Sequence, residues 1–138
     1  MPWLEDLVTL ATNASVGTLG TDLFTSTAAN VLIVPSGSMT ITETPGGEPE
    51  RTQNSVSVPA YINVRAQFLA RAKTPELARL KAREYYLTVC GIRNQFINSG
   101  WYREITPLQE PFDLGKDDRG QCRYVFNVRG IKRPEVIA

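Results

Sequence analysis

The alternation of apolar and polar positions is clearest in residues 56–68. There every even position is apolar, and the odd positions carry Ser, Pro, Tyr, Asn, Arg and Gln. Successive side chains of a strand point to opposite faces, so this period of two predicts a strand with one buried face and one polar or contact face. Pro59 has no amide hydrogen, so we expect the strand to bend there or to be unpaired on that side.

A helical pattern follows, and it is the longest in the chain, reaching towards residue 98. Thr74, Pro75 and Glu76 supply an N-cap, a first-turn proline and an early acid. Gly91 is expected to end or kink the helix, since glycine costs about 1 kcal/mol against alanine in a helix interior. Apolar residues recur at spacings of four and three, which predicts a stripe lying on the apolar face of the strand: Ala78, Ala82, Tyr85, Val89, Ile92 and Phe96.

Weaker patterns predict the other elements. Residues 2–12 are amphipathic, with Glu5 and Asp6 near the start, which is typical of a short helix. With 138 residues the chain has the size of one domain that can bury its own core. Short apolar or alternating runs predict strands at residues 31–34, 39–44, 101–108 and 121–129.

Two polar segments interrupt these elements. Residues 45–55 contain two prolines, two glycines and no large apolar residue, which predicts an exposed, flexible loop. Loops of this length are often functional or else disordered, and both interpretations stay open. Residues 116–120 carry a turn signal that contains the adjacent carboxylates Asp117 and Asp118. The flanking Lys, Arg and Gly favour a solvated turn over a catalytic or metal-binding pair.

Charge is unevenly distributed, although the composition is ordinary for a globular protein and the net charge is +1. Residues 1–64 contain six acidic side chains and one basic one, whereas residues 65–103 contain eight basic and two acidic ones. Oppositely charged segments suit a protein that meets its own copies, or an acidic partner, in a fixed orientation. The alternative is that the two segments neutralise each other within one monomer.

The sequence offers little catalytic chemistry. Histidine, the commonest general base, is absent, and no serine or cysteine motif for a nucleophile is present. We therefore predict a protein that is not an enzyme, with no catalytic, cofactor-binding or metal-binding residues. Cys90 and Cys122 have no metal or redox spacing and are expected to be buried free thiols in a reducing compartment. With no membrane-length apolar run and no signal peptide, we expect the chain to fold in a cytoplasm.

The surface of the long helix allows two interpretations. Arg79, Lys81, Arg83 and Arg93, with Arg71 and Lys73 just before the helix, form a basic region with tyrosines nearby, as in a nucleic-acid-binding module. These basic residues are spread around the helix, which favours a solvated or subunit-facing surface. Leu80 and Leu87 lie seven residues apart, away from the main stripe, and predict a second apolar strip suited to packing on a neighbour or on the N-terminal helix.

Several short segments occur in a characteristic order. They are a Gly-x-x-Gly-x-Asp-Leu-Phe loop at 17–24, a Thr-Glu-Thr-Pro-Gly-Gly segment at 42–47, and a strand ending in Val-Arg-Ala at 64–66 before an alanine-rich helix. A closing Pro-Phe-Asp-Leu-Gly-Lys-Asp-Asp-Arg-Gly turn at 111–120 and a Tyr-Val-Phe-Asn-Val strand at 124–128 follow. Together these features resemble the tail terminator and minor capsid proteins of long-tailed bacteriophages. The likeness is one of pattern over nearly the whole chain and contains no single diagnostic motif.

The resemblance implies an α+β fold, with a mixed, mainly antiparallel sheet packed against one long helix and a short N-terminal helix. It implies a homo-oligomeric ring, a hexamer, that stops polymerisation of the tail tube and joins the tail to the head connector or stopper protein. The expected location is the virion neck, after assembly in the host cytoplasm. The resemblance implies no membrane partner, no cofactor and no specific nucleic acid binding, although the genome passes through such a ring. Another neck component, such as a head completion or connector-docking protein, and a small nucleic-acid-binding domain are the alternatives.

Candidate assembly contacts follow from this reading. The loop at 45–55 and the turn at 116–120 are candidates for contacts with the tube or connector, and the basic helix and its second leucine strip are candidates for contacts between subunits. The residues concerned are Glu48, Glu50, Arg51, Arg65, Arg79, Arg83, Leu80, Leu87, Asp117, Asp118 and Arg119.

Overall fold

The computed structural model describes residues 2–26, 37–44, 61–98 and 100–133. This part of the chain contains two α-helices and seven β-strands. In chain order they are α1 (Pro2–Asn13), β1 (Leu23–Ser26), β2 (Ser38–Thr44), β3 (Ile62–Ala72), α2 (Pro75–Val89), β4 (Ile92–Ile97), β5 (Gly100–Pro107), β6 (Phe112–Lys116) and β7 (Cys122–Lys132).

The seven strands form one mixed sheet in the order β1-β2-β3-β7-β5-β4, with β6 also paired to β7. Among the described strand pairs, β1 and β2 are parallel and the others are antiparallel. Strand β3 pairs with β7 along the whole length of both strands. The other edge of β7 is shared, because β6 pairs with its first residues and β5 with its last.

The core lies between one face of this sheet and the two helices. Alternate residues of β3, among them Ala66, Phe68 and Ala70, are fully buried, as the period of two requires. The ring of Phe68 stacks on that of Phe126 in β7, with centroids 4.8 Å apart and planes 16° apart. Both helices contribute buried side chains to the same cluster: Trp3, Leu7 and Ala11 from α1, and Ala82, Tyr85 and Val89 from α2.

The expectation of an α+β fold with one long helix is wrong. Helix α2 ends at Val89, and the described residues are mostly a mixed seven-stranded sheet with two short helices. The physical reason lies at Cys90, which takes an extended conformation as C-cap, and at Gly91, whose φ of +78° favours glycine and cannot continue a right-handed helix. The next residues form β4, where Phe96 is 63% exposed and does not continue the buried helical stripe.

Other elements are close to their predicted positions. The patterns at 2–12, 39–44, 101–108 and 121–129 correspond to α1, β2, β5 and β7. Strand β3 begins only at Ile62 and runs on to Ala72, and the earlier part of the predicted strand, with Pro59, lies outside the described residues. The predicted strand at 31–34 also lies outside them. Both cysteines are free, as predicted, with Cys122 buried and Cys90 half-buried.

Candidate assembly surface

The outer side of α2 carries an exposed row of leucines. The hydroxyl oxygen of Thr74 accepts a hydrogen bond from the Leu77 amide at 3.3 Å, which fixes the start of the helix. The inner side then buries the predicted residues Ala78, Ala82, Tyr85 and Val89. On the opposite side, the side chains of Leu77, Leu80 and Leu87 are 54%, 54% and 58% exposed. We call these three residues the leucine row.

Two of the predicted contact arginines flank the leucine row. Arg79 and Arg83 lie four residues apart, so they are neighbours along the helix surface, and both are exposed. Neither forms an ion pair with another residue of the described ranges. Lys81, between them in sequence, is held by Asp22 instead, with Nζ 3.1 Å from Oδ2. The structure thus brings together Arg79, Arg83, Leu80 and Leu87.

Leu77 belongs to the same surface but was missed in the sequence. Its spacing of three from Leu80 and ten from Leu87 places it on the same side of a helix, and this spacing was the available signal. Such a row on a helix that is otherwise well packed is able to bury apolar area against another protein surface.

Within the described residues, one ion pair joins the two oppositely charged segments of the chain. It is the Lys81–Asp22 pair, which joins residues 1–64 to residues 65–103. Asp6, the other acidic residue of the N-terminal part with an ion pair there, contacts Lys132 from the end of the chain. Neutralisation within the monomer therefore applies to Asp22 and Lys81, and a role of the other charges in contacts with a partner stays a prediction.

Arg65 is not part of the α2 surface. It lies in β3 on the opposite face of the sheet, directly across from Arg129 of β7 and from Thr44 of β2. Arg65, Thr44 and three neighbours, Leu108, Gln109 and Asn127, line an open cleft of about 370 Å³. The Arg129 guanidinium is 3.5 Å from the Glu104 carboxylate, so one member of this arginine pair has an internal counter-charge.

In the turn at 116–120, Asp117 has an internal role. Its Oδ1 accepts hydrogen bonds from the backbone amides of Arg119 and Gln121, each at 2.9 Å, and its Oδ2 is 3.5 Å from Nε of Arg71. The Gln121 hydrogen bond, helped by that of Arg119 and by the Arg71 charge, lowers the pKa of Asp117 although partial desolvation opposes this. Asp118 and Arg119 are exposed and remain available for contacts.

Three predicted contact residues, Glu48, Glu50 and Arg51, lie with the loop at 45–55 outside the described residues.

A buried polar cluster joins α1 to the sheet, and sequence analysis did not find it. Asp6 and Lys132 are 2% and 3% exposed, with Nζ of Lys132 4.0 Å from Oδ2 of Asp6. The Tyr102 hydroxyl donates a hydrogen bond to Oδ2, and Nδ2 of Asn98 donates one of 2.8 Å to Oδ1. Because both charged groups are closed off from solvent, this cluster fixes the helix on the sheet and does not present a substrate site.

Comparison of the chain with models of known protein families and with curated protein sequences finds no match. Neither α1 nor α2, the helices of the described ranges, is long and apolar enough to cross a membrane. Within those ranges, no group of three or more cysteine, aspartate and glutamate residues is arranged to hold a metal ion.

Proposed function

We propose that this protein is a structural component of a bacteriophage virion, a tail terminator. Copies of it form a ring that caps the tail tube and joins the tail to the head connector, without catalytic chemistry or a cofactor. The observation that carries the proposal is the leucine row flanked by Arg79 and Arg83, an exposed apolar surface on a helix whose other side is buried in the core. The family resemblance of the sequence supplies the kind of assembly.

The leucine row provides the apolar part of the contact between neighbouring copies. Full burial of a leucine side chain is worth about 1.5–3 kcal/mol, so burying side chains that are more than half exposed contributes roughly 1–1.5 kcal/mol each. Arg79 and Arg83 lie at the border of this contact, where charges set orientation and association rate more than affinity. A contact between two different surfaces of the same chain closes into a ring when the rotation between copies allows it.

The first test is the solution mass of the purified protein by light scattering, with negative-stain images of the same fraction, with and without tail tubes. We expect rings, or monomers that assemble on tube ends and limit tube length. A stable monomer that does not interact with tubes would contradict the proposal and would favour a connector-docking protein.

A matched pair of variants locates the contact. Leu80→Ser with Leu87→Ser is expected to abolish the ring, whereas Leu114→Ser, at a side chain 44% exposed on β6, is expected to leave it intact. Circular dichroism establishes that the variants are folded. Rings formed equally well by both variants would show that the leucine row is not the contact.

A further inference from the structure

The face of the sheet that points away from both helices carries exposed aromatic side chains at one end. Phe96 of β4 lies directly across from Trp101 of β5, with ring centroids 5.0 Å apart in an edge-to-face arrangement. Phe96 is 63% exposed, and Trp101 is half-buried. Tyr61, just before β3, is also half-buried. Three flat side chains are therefore accessible within one end of the sheet.

Arginines are interleaved with these aromatic side chains. The Arg133 guanidinium lies 5.2 Å from the centroid of the Trp101 ring, and the Arg103 guanidinium lies 5.5 Å from that of Tyr61. Contacts of this kind hold guanidinium groups over ring faces while leaving their charge at the surface. Both arginines are exposed.

The positive charge continues along the same face. Arg65 and Arg129 are cross-strand partners, and like charges placed opposite each other destabilise a sheet. Glu104 contacts two arginines of this face: its oxygens are 3.5 Å from Arg129 and 3.6 Å from Arg93. Arg65 forms no ion pair within the described ranges. We call this surface the arginine face, defined by the residues Tyr61, Arg65, Arg93, Phe96, Trp101, Arg103, Glu104, Arg129 and Arg133.

We propose that the arginine face binds single-stranded nucleic acid without sequence preference, its arginines contacting phosphates and its aromatic rings stacking on bases. Proteins that bind single strands in this way combine a positively charged surface with exposed aromatic rings, because every base has a face on which to stack. Arg65, Arg93, Arg129 and Arg133 supply the charge, and Phe96 and Trp101 supply the rings. The cleft beside Arg65 adds the hydroxyl and amide groups of Thr44, Gln109 and Asn127, which are common phosphate ligands.

This assignment moves nucleic acid binding from the basic helix to the sheet. Helix α2 has arginines, but Tyr85 is 1% exposed and packs in the core, so it is not available for stacking. The inference does not depend on the ring, because the arginine face and the leucine row lie on opposite sides of the molecule.

The two tryptophans make the test direct. Trp3 is 1% exposed, so it is shielded from a ligand, whereas Trp101 lies in the proposed site. We expect an oligothymidylate of about 16 nucleotides, the upper end of known site sizes, to quench the tryptophan emission saturably. In Trp101→Phe, the remaining emission from Trp3 should not respond.

The affinities of single variants for oligothymidylate distinguish the contribution of base stacking from that of charge. Phe96→Ala, at an exposed edge position, is expected to weaken oligothymidylate binding by about 5- to 150-fold, the range measured for single base-stacking aromatics. Arg65→Ala should weaken it and reduce the slope of log affinity against log salt by about 0.7. Lys73→Ala is the control. It removes an exposed cation just after the last residue of β3 and should leave the affinity almost unchanged.

Heparin and duplex DNA are the comparison ligands. If heparin binds while oligothymidylate does not quench Trp101, the arginine face is a contact for an acidic protein surface and the proposal is wrong. Duplex DNA bound as tightly as the single strand, or an unchanged affinity in both Phe96→Ala and Arg65→Ala, would equally refute it.

Discussion

The buried pair of Asp6 and Lys132 predicts a strong energetic coupling between α1 and the last strand. Both side chains are 4% exposed, and Nζ of Lys132 also lies 5.1 Å from the centroid of the Tyr102 ring. Asp6→Asn leaves the ammonium buried without a counter-charge, and Lys132→Met leaves the carboxylate with only the hydrogen bonds from Tyr102 and Asn98. Removing one partner of a buried pair costs about 3–5 kcal/mol, so we expect each single variant to lose roughly that much.

The double variant is the decisive measurement. With both charges removed, the amide oxygen that Asp6→Asn introduces still accepts a hydrogen bond and no charge is buried. We therefore expect a loss of only about 1–2 kcal/mol and hence a coupling free energy of roughly 4 kcal/mol or more. Urea denaturation of the four proteins gives these values. Lys81→Met is the control, because its pair with Asp22 is 17% and 36% exposed and should be worth only about 0–1 kcal/mol. Single variants that each lose less than about 1 kcal/mol, or a double variant that loses the sum, would refute the reasoning.

Three further substitutions test other parts of the fold. Tyr85→Phe should leave stability in urea unchanged or raise it, because the Tyr85 hydroxyl is buried without a hydrogen-bond partner in the described ranges. The same burial raises the pKa of Tyr85. A loss of stability above about 1 kcal/mol would contradict this expectation. Gly130→Ala should lower the free energy of unfolding by about 1–3 kcal/mol in the same assay, since the added Cβ would lie 2.8 Å from the Trp3 ring. An unchanged stability would show that Trp3 moves freely. In the folded protein the pKa of Asp117 lies below its ordinary value of 3.8, so its carboxylate stabilises the fold above pH 3.8, and this contribution is lost as the pH falls through the lower folded value. Acid unfolding followed by circular dichroism should therefore show a steeper loss of stability below pH 3.8 in the native protein than in Asp117→Ala. Parallel curves would exclude the effect.

Elements with a complete local signal were predictable from the sequence. Helix α2 starts where its N-cap threonine and first-turn proline place it, and β7 contains the predicted alternating run, although Val125 is buried on the other face of the sheet. The end of α2 was not predictable from periodicity, because Ile92 and Phe96 continue the helical spacing although they belong to β4. Gly91 has a positive φ and leads directly into β4, which pairs with β5, so the end of α2 coincides with a tertiary pairing that periodicity does not reveal.

The buried polar cluster around Asp6 shows why contacts between distant residues were harder to predict than the strands. Asp6 fits the first turn of a helix, where an acid suits the dipole, and this local reason hides its second role. Tyr102, its hydrogen-bond donor, is 96 residues away in sequence, and no period or motif links the two positions. Exposure of Leu77 and Phe96 likewise depends on which residues the sheet and helices leave uncovered, a property of the tertiary fold.

The leucine row and the arginine face carry different chemistry on opposite sides of one hydrophobic core. The stacked rings of Phe68 and Phe126 lie between them, within a cluster that includes buried residues of both helices. If a neighbouring copy covers α2 as proposed, the arginine face therefore stays open to a ligand. Since the two surfaces share no residue, loss of the ring in the Leu80→Ser, Leu87→Ser variant should leave oligothymidylate binding per subunit almost intact. Loss of both properties in that variant would instead mean that the arginine face binds only in the assembled state.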